Sequence, residues 1–194
     1  RIPNKVINGR IIVSASQSDG GKMGVKDMQG NWLIMPKYYS MRYVDTNQSY
    51  IVSMPKPTDT KRLLHGVIDK NGSIIIPIKY SSLSPKGKNY IASEGDDPFN
   101  DDFTDEAMAA ADDDLFDFLE DEEAEVIQNK MKWGLFSHTG STLLPFSYDD
   151  LTTNSEVGIL TLKQLNPTTK KMVSFLYDQS TKSTSKLFAL FGRS

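Results

Sequence analysis

The chain has no cysteine among its 194 residues. That excludes disulfides, thiolate metal sites, iron–sulfur clusters and cysteine nucleophiles together. It has two histidines, His65 and His138, with no second histidine at the i, i+4 spacing of a helical metal site. No stretch approaches the roughly 18 apolar residues of a membrane-spanning helix. The densest run, Ile74 to Ile78, contains Pro77. A Gly-x-Ser-x-Gly elbow and a Gly-x-Gly-x-x-Gly fingerprint are both missing. Gly20-Gly21-Lys22 is followed by Met23, where a phosphate loop needs the hydroxyl that holds magnesium. A hydrophobic content of 38% and mean hydropathy of −0.41 suit a soluble globular chain and not a membrane one.

One long region is both free of positive charge and strongly acidic. No lysine or arginine occurs from Asn89 to Asn129, while Glu94 to Glu125 holds 16 of the 25 acidic residues. Nine acidic residues then remain elsewhere against all 22 basic ones. The net charge of −3 therefore conceals a basic body with an acidic insert. Blocks of like charge stay solvated and often serve as interaction segments. Asp96-Asp97, Asn100-Asp101-Asp102 and Asp112-Asp113-Asp114 offer oxygen ligands, but none fits the spacing of a calcium loop. Within the insert, Asp112 to Glu125 has the spacing of an amphipathic helix, with Leu115, Phe118, Leu119 and Val126 on one stripe. Asp113, Asp117, Asp121 and Glu125 form a like-charge i, i+4 ladder, so such a helix needs something to dock on.

A repeat emerges when glycines are aligned. Gly24 and Gly30, Gly66 and Gly72, and Gly134 and Gly140 are each six apart, and Tyr38, Tyr80 and Tyr148 each follow the second glycine by eight. Pro36, Pro77 and Pro145 precede those tyrosines. The runs Tyr50 to Ser53, Tyr90 to Ser93 and Val157 to Leu162 come after a further gap. The first two units are offset by 42 residues and the next two by 68, the excess of 26 falling where the acidic insert lies. Each unit reads as a three-stranded meander: a strand after the first glycine, a hairpin turn at the second, and a strand ending at the proline. The tyrosine anchors an exit loop before the last strand.

A Gly-x5-Gly frame with a proline and a tyrosine resembles the bacterial WG repeat, also called the KWG repeat. The third unit fits best, with Lys132-Trp133-Gly134, Gly140, Pro145 and Tyr148-Asp149. The second has His65 and the first has Met23 at the tryptophan position. The resemblance covers about Lys22 to Ser93 and Lys132 to Leu162, plus the fragment Ile11 to Ser16. It implies an all-β array without catalytic chemistry, superhelical or curled like an incomplete propeller. The expected organisation is a partial repeat at 1–21, units at 22–63, 64–93 and 130–163, the insert at 94–129, and a capping hairpin at 164–194. Met23, His65 and Trp133 are expected between units, and His138 in an exposed turn.

The functional expectation is a non-enzymatic interaction module that binds another protein, with no cofactor, metal or catalytic residue assigned. Leu115, Phe116, Phe118, Leu119, Asp113, Asp117 and Asp121 of the insert are the candidate partner-binding residues. Deleting residues 95 to 125 is expected to alter partner binding more than folding. A rival reading uses Lys56, Lys61, Arg62, Lys86, Lys88, Lys130, Lys132, Lys170 and Lys171 to bind nucleic acid or another polyanion. Those cations are scattered and lack an aromatic stacking motif, and edge-strand lysines commonly serve solubility instead. A hydrolase using insert carboxylates is the third class.

Overall fold

The computed structural model describes residues 6–15, 21–95, 131–153 and 158–187. The candidate partner-binding residues and the expected helix at Asp112 to Glu125 lie outside the described residues, as does Lys130. Among the described residues, sixteen strands form four antiparallel sheets of four, each built from strands consecutive in the chain. Sheet one holds β1 (Val6–Ile7), β2 (Arg10–Ser14), β3 (Met23–Asp27) and β4 (Trp32–Tyr38). Sheet two holds β5 (Ser40–Val44), β6 (Ser49–Lys56), β7 (Asp59–Ile68) and β8 (Ile74–Tyr80). Sheet three holds β9 (Ser82–Lys86), β10 (Asn89–Glu94), β11 (Lys132–Phe136) and β12 (Thr142–Tyr148). Sheet four holds β13 (Asp150–Thr153), β14 (Ile159–Leu165), β15 (Met172–Asp178) and β16 (Ser183–Lys186). The described residues form an all-β repeat array, with no closed barrel among them. Among the described residues, no helix is long and apolar enough to cross a membrane.

The sequence repeat and the sheet are out of phase. Each glycine frame supplies the last two strands of one sheet, and the chain then turns a one-residue corner into the next. Tyr39, Ser81 and Asp149 are these corners, and their N–H groups donate to the carbonyls of Ser53, Ser93 and Lys163 at 2.9, 2.9 and 2.8 Å. The unit therefore has four strands, not the expected three. The strand read as an exit loop is β5, β9 or β13. Each is short, and each puts a buried apolar residue into the core: Met41, Leu83 and Leu151 respectively. One buried core residue in β9 and in β13, and in β5 two that stand three apart, Met41 and Val44, leave almost no period-two signal in the sequence.

The glycine frame has two separate jobs. Its second glycine takes positive φ in every unit, with Gly30 at 90°, Gly72 at 91° and Gly140 at 85°. The turn closes on the residue three before it. Asp27 Oδ1 accepts from the N–H groups of Gln29 and Asn31, and Asp69 Oδ1 accepts from those of Asn71 and Ser73. Ser137 Oγ does the same for Thr139 and Ser141. The first glycine lies under a bulge. Met23 faces Tyr38 while Val25 faces Ile34, so Met35, Pro36 and Lys37 together oppose Gly24. The second and third units repeat this, His65 facing Tyr80 and Trp133 facing Tyr148. A Cβ on Gly66 would meet the Ile76 carbonyl at 2.7 Å and Ile78 Cα at 2.8 Å. The prolines thus sit inside β4, β8 and β12 and do not end them. A missing N–H costs nothing in the bulge of an edge strand, where no ladder partner waits.

Three cores join the sheets in series. Val25, Ile34 and Tyr38 of sheet one pack on Met41, Tyr50, Val52 and Ile68 of sheet two. Ile51, Val67, Ile76 and Tyr80 of sheet two pack on Leu83, Tyr90, Ala92 and Phe136 of sheet three. Ile91, Leu135 and Leu144 of sheet three pack on Leu151, Leu160, Leu162 and Tyr177 of sheet four. Sheets two and three are covered on both faces, which is why β6 and β10 carry unbroken apolar runs. Each aliphatic side chain so buried contributes about 1.5–3 kcal/mol. Residues 164–187 supply more than a cap, since β15 and β16 complete a full sheet with β13 and β14.

Candidate functional site

Met23, His65 and Trp133 occupy the same register position, opposite the tyrosine across the bulge. All three are half-buried at the rim of the cores, not sealed inside them. Met23 and Trp133 pack against the cores beside them. His65 instead lines a cleft of about 300 Å³ with Lys56, Lys61, Arg62, Ser81 and Ser82, completed by Leu63, Leu64, Gly95 and Met131. His138 is exposed in the β11–β12 turn.

The cleft forms where two parts of the array meet. The β6–β7 hairpin reaches beyond the sheet, carrying Lys56, Lys61 and Arg62. The corner Ser81-Ser82 lies where the chain crosses to sheet three. Arg62 Nε pairs with Asp59 at 3.2 Å. Ser81 Oγ donates to the Gly95 carbonyl. Ser93, cross-strand from Ser82, is buried with its Oγ unpaired among the described residues, whereas Ser53 in the preceding unit bonds Ser40. Burial pushes the His65 imidazole below its ordinary value of 6.5, so it is neutral at pH 7. No hydrogen bond to the His65 ring occurs among the described residues. Nor do the described residues contain a group of three or more histidines and carboxylates able to hold a metal ion.

The same corner in the next unit is closed. Asp149 stands in the place of Ser81, and its carboxylate pairs with Lys132 and accepts the Leu165 N–H at 2.7 Å. Burial works against that charge, but Lys132 and the Leu165 N–H outweigh it and hold the carboxyl below the ordinary aspartate value of 3.8. Asp150, in the place of Ser82, pairs with Lys163 at 3.3 Å.

Residues 66–91 match the family model of the WG containing repeat. This unit is a WG repeat. The WG repeat begins at Gly66 in sheet two and ends at Ile91 in sheet three, so the family's unit includes the corner that forms one wall of the cleft. It is matched in the unit with His65, although the Trp-Gly pair itself occurs at Trp133-Gly134. No curated protein matches the chain. Among the solved structures similar to it at low identity are two large proteins. One is described as the eukaryotic initiation factor, with 9% identity and a TM-score of 0.45 over 92% of this chain and 40% of the other. The second is an acylaminoacyl peptidase in complex with Z-Gly-Gly-Phe-chloromethyl ketone, with 9% identity and a TM-score of 0.39 over 94% and 31%. The chain spans less than half the length of either.

The described sequence-picked cations fall at opposite ends of the sheets. Lys56, Lys61 and Arg62 gather at the cleft, and Lys170 and Lys171 lie at the same end in the β14–β15 turn. Lys86 and Lys88 lie at the other end, and Lys132 is spent on Asp149. Sequence reasoning missed the cleft because its residues come from three separate connections. The readable signal was the pair after each tyrosine, Ser81-Ser82 in one unit against Asp149-Asp150 in the next.

Proposed function

We propose that this WG-repeat array is a non-enzymatic module for binding another protein, with the cleft at the second unit as its contact site. The observation that carries this reading is the convergence of Lys56, Lys61 and Arg62 beside Ser81 and Ser82, at a seam between sheets. Serial repeats present successive loops along one end, the arrangement by which repeat proteins bind extended partners. The acidic insert fits the same reading as an accessory element. Glu94 pairs directly across from Lys132, so its two ends are set one strand spacing apart, about 5 Å. Its insertion therefore leaves the hairpin of β10 and β11 intact.

The test is cross-linking of the full chain in extract of its native cell, compared with the Lys61→Ala/Arg62→Ala variant. A discrete protein captured by the parent and lost in the variant supports the reading. Recovery of nucleic acid in its place, released steeply by salt, would support the polyanion reading that the same cations favour.

A further inference from the structure

We propose that a pocket between sheets two and three, at the end of the sheets away from the cleft, is a binding site for a phosphate group. It does not depend on the protein-binding reading above.

The pocket departs from a rule that the other two sheet junctions follow. Arg10, Ser49 and Asn89 are the first residues of β2, β6 and β10, the second strands of their sheets. Lys70, His138 and Gln179 each follow the residue that closes the last turn of the next sheet: Asp69, Ser137 and Asp178. At the junction of sheets one and two, the Arg10 guanidinium donates to the Lys70 carbonyl. At the junction of sheets three and four, Asn89 Nδ2 donates to Gln179 Oε1 at 2.9 Å. Between sheets two and three the residue is Ser49, which is buried and hydrogen-bonded to the Tyr90 hydroxyl. No side chain there takes the place of Arg10 or Asn89. A pocket of about 440 Å³ lies at this junction, lined by residues 46–48, Asp69, Lys70, Lys88 and His138.

Its walls are tied to both sheets. Asn47 Nδ2 donates to the Lys88 carbonyl at 3.1 Å, which joins the β9–β10 turn to sheet two. A Cβ on Gly140 would lie 2.2 Å from the Ile75 carbonyl, so the turn that carries His138 already touches β8. Lys70, Lys88 and His138 are exposed, and their side chains have no hydrogen bond, ion pair or ring contact among the described residues. Asp69 is the one carboxylate in the lining, and its Oδ1 accepts from the N–H groups of Asn71 and Ser73 within its own turn. Two ammonium groups outnumber it. The imidazole of His138, the hydroxyl of Thr46 and the amide of Gln48 add uncharged donors.

A phosphate monoester carries about 1.5 to 2 negative charges at pH 7 and three acceptor oxygens. Lysine meets such a group as a compact ammonium with three rotatable donors. Here the donors come from four different turns around one pocket, and none lies in a row along a strand. That arrangement suits one compact, doubly charged anion better than a planar carboxylate with a single charge. Free phosphate and a phosphorylated side chain share this chemistry.

The experiment follows the backbone amides of the isotope-labelled full chain by NMR at constant ionic strength. The titrants are inorganic phosphate, acetate, and a phosphoserine peptide beside its unphosphorylated form. Saturable shifts centred on Gln48, Lys70, Lys88 and His138 are expected with phosphate, and weaker ones with acetate. A phosphoserine peptide that binds more tightly than inorganic phosphate supports a phosphorylated side chain as the ligand, and equal affinity supports free phosphate. Lys70→Ala/Lys88→Ala should weaken phosphate binding at least about tenfold. His138→Glu, which adds a carboxylate in an exposed turn, should do the same. Lys170→Ala/Lys171→Ala, at the other end of the sheets, should change affinity less than about twofold. Shifts that never saturate, that acetate or the unphosphorylated peptide produces equally, or that spread over all surface lysines would overturn the proposal. So would a Lys70/Lys88 variant that binds like the parent, or a Lys170/Lys171 variant that loses as much.

Discussion

The second and third units share one frame and differ at almost every position that the frame leaves free. Both have a glycine beneath a bulged edge strand, a glycine of positive φ in the turn, and a tyrosine facing the aromatic position. Yet His65 stands for Trp133, Leu64 for Lys132, Ser81-Ser82 for Asp149-Asp150, and Asp69 for Ser137. Backbone geometry is carried by four or five positions, and the others decide whether a corner is locked by ions or left as a cleft. In a fold made of serial like parts, a binding site can arise from substitutions at one corner without altering the scaffold.

The largest expected effect tests how the frame's tyrosine is used in the two units. Tyr80 is buried between Phe136 and Phe146, with ring centroids 5.3 and 5.1 Å away. Tyr80→Ala should cost about 3–5 kcal/mol in chemical denaturation. Tyr148 is half-buried and, among the described aromatic rings, meets only Phe175, edge-on at 6.3 Å. Tyr148→Ala should cost clearly less. Equal losses would mean that the two sheet interfaces are energetically alike.

Next come the turn glycines. Alanine at Gly72 or Gly140 is placed at positive φ, a strain of about 1–2 kcal/mol in either unit. The surroundings differ. A Cβ on Gly72 meets only Ile34 side-chain atoms, from 3.5 Å outward, while on Gly140 it would strike the Ile75 carbonyl at 2.2 Å. Gly140→Ala should therefore lose a further 1–3 kcal/mol or so by overpacking. Gly30 has nothing within 4 Å and should follow Gly72. A ranking with Gly30→Ala worst would remove this contact between the third unit's turn and sheet two.

The frame was legible because glycine and proline report backbone demands that no other residue meets, and they recur in phase. The Asp69 and Asn71-Gly72 turn was readable on the same grounds. The bulge was not, because proline at a strand end and proline inside an edge bulge leave the same trace. β9 and β13 were hidden by having one core residue each and β5 by having two, Met41 and Val44, out of period-two spacing, and in β9 Pro85 adds a false stop signal. The cleft was beyond the linear pattern: Lys56, Lys61 and Arg62 meet Ser81 only through the pairing of β6 with β7 and the corner into sheet three.

A third, smaller effect concerns the locked corner. Asp149→Asn removes the carboxylate that joins Lys132 to the Leu165 N–H. Lys132 is 41% exposed, so water screens much of its attraction, and the loss should be about 1 kcal/mol. The sign with pH follows from a folded pKa below the ordinary 3.8. The stabilisation is fully present above the unfolded value and disappears as pH falls through the lower folded one. Denaturation midpoints between pH 5 and 2 should fall more for the parent than for Asp149→Asn. Ser81→Asn, in the unit without the carboxylate, should leave that slope unchanged.

The smallest effect belongs to the ring position, where the second unit has a titratable group and the third does not. Burial lowers the His65 pKa beneath 6.5, so the unfolded chain binds a proton more readily than the folded one. Stability is then complete above about pH 6.5 and declines as pH falls below it toward the depressed folded value. Thermal unfolding between pH 7.5 and 5 should show this decline in the parent. His65→Phe places an apolar ring there, as the third unit does with Trp133, and should flatten that limb. A His65→Phe variant that keeps the full decline would show that the half-buried ring is no more costly to charge than a free one. It would also erase the distinction between the rims of the two units.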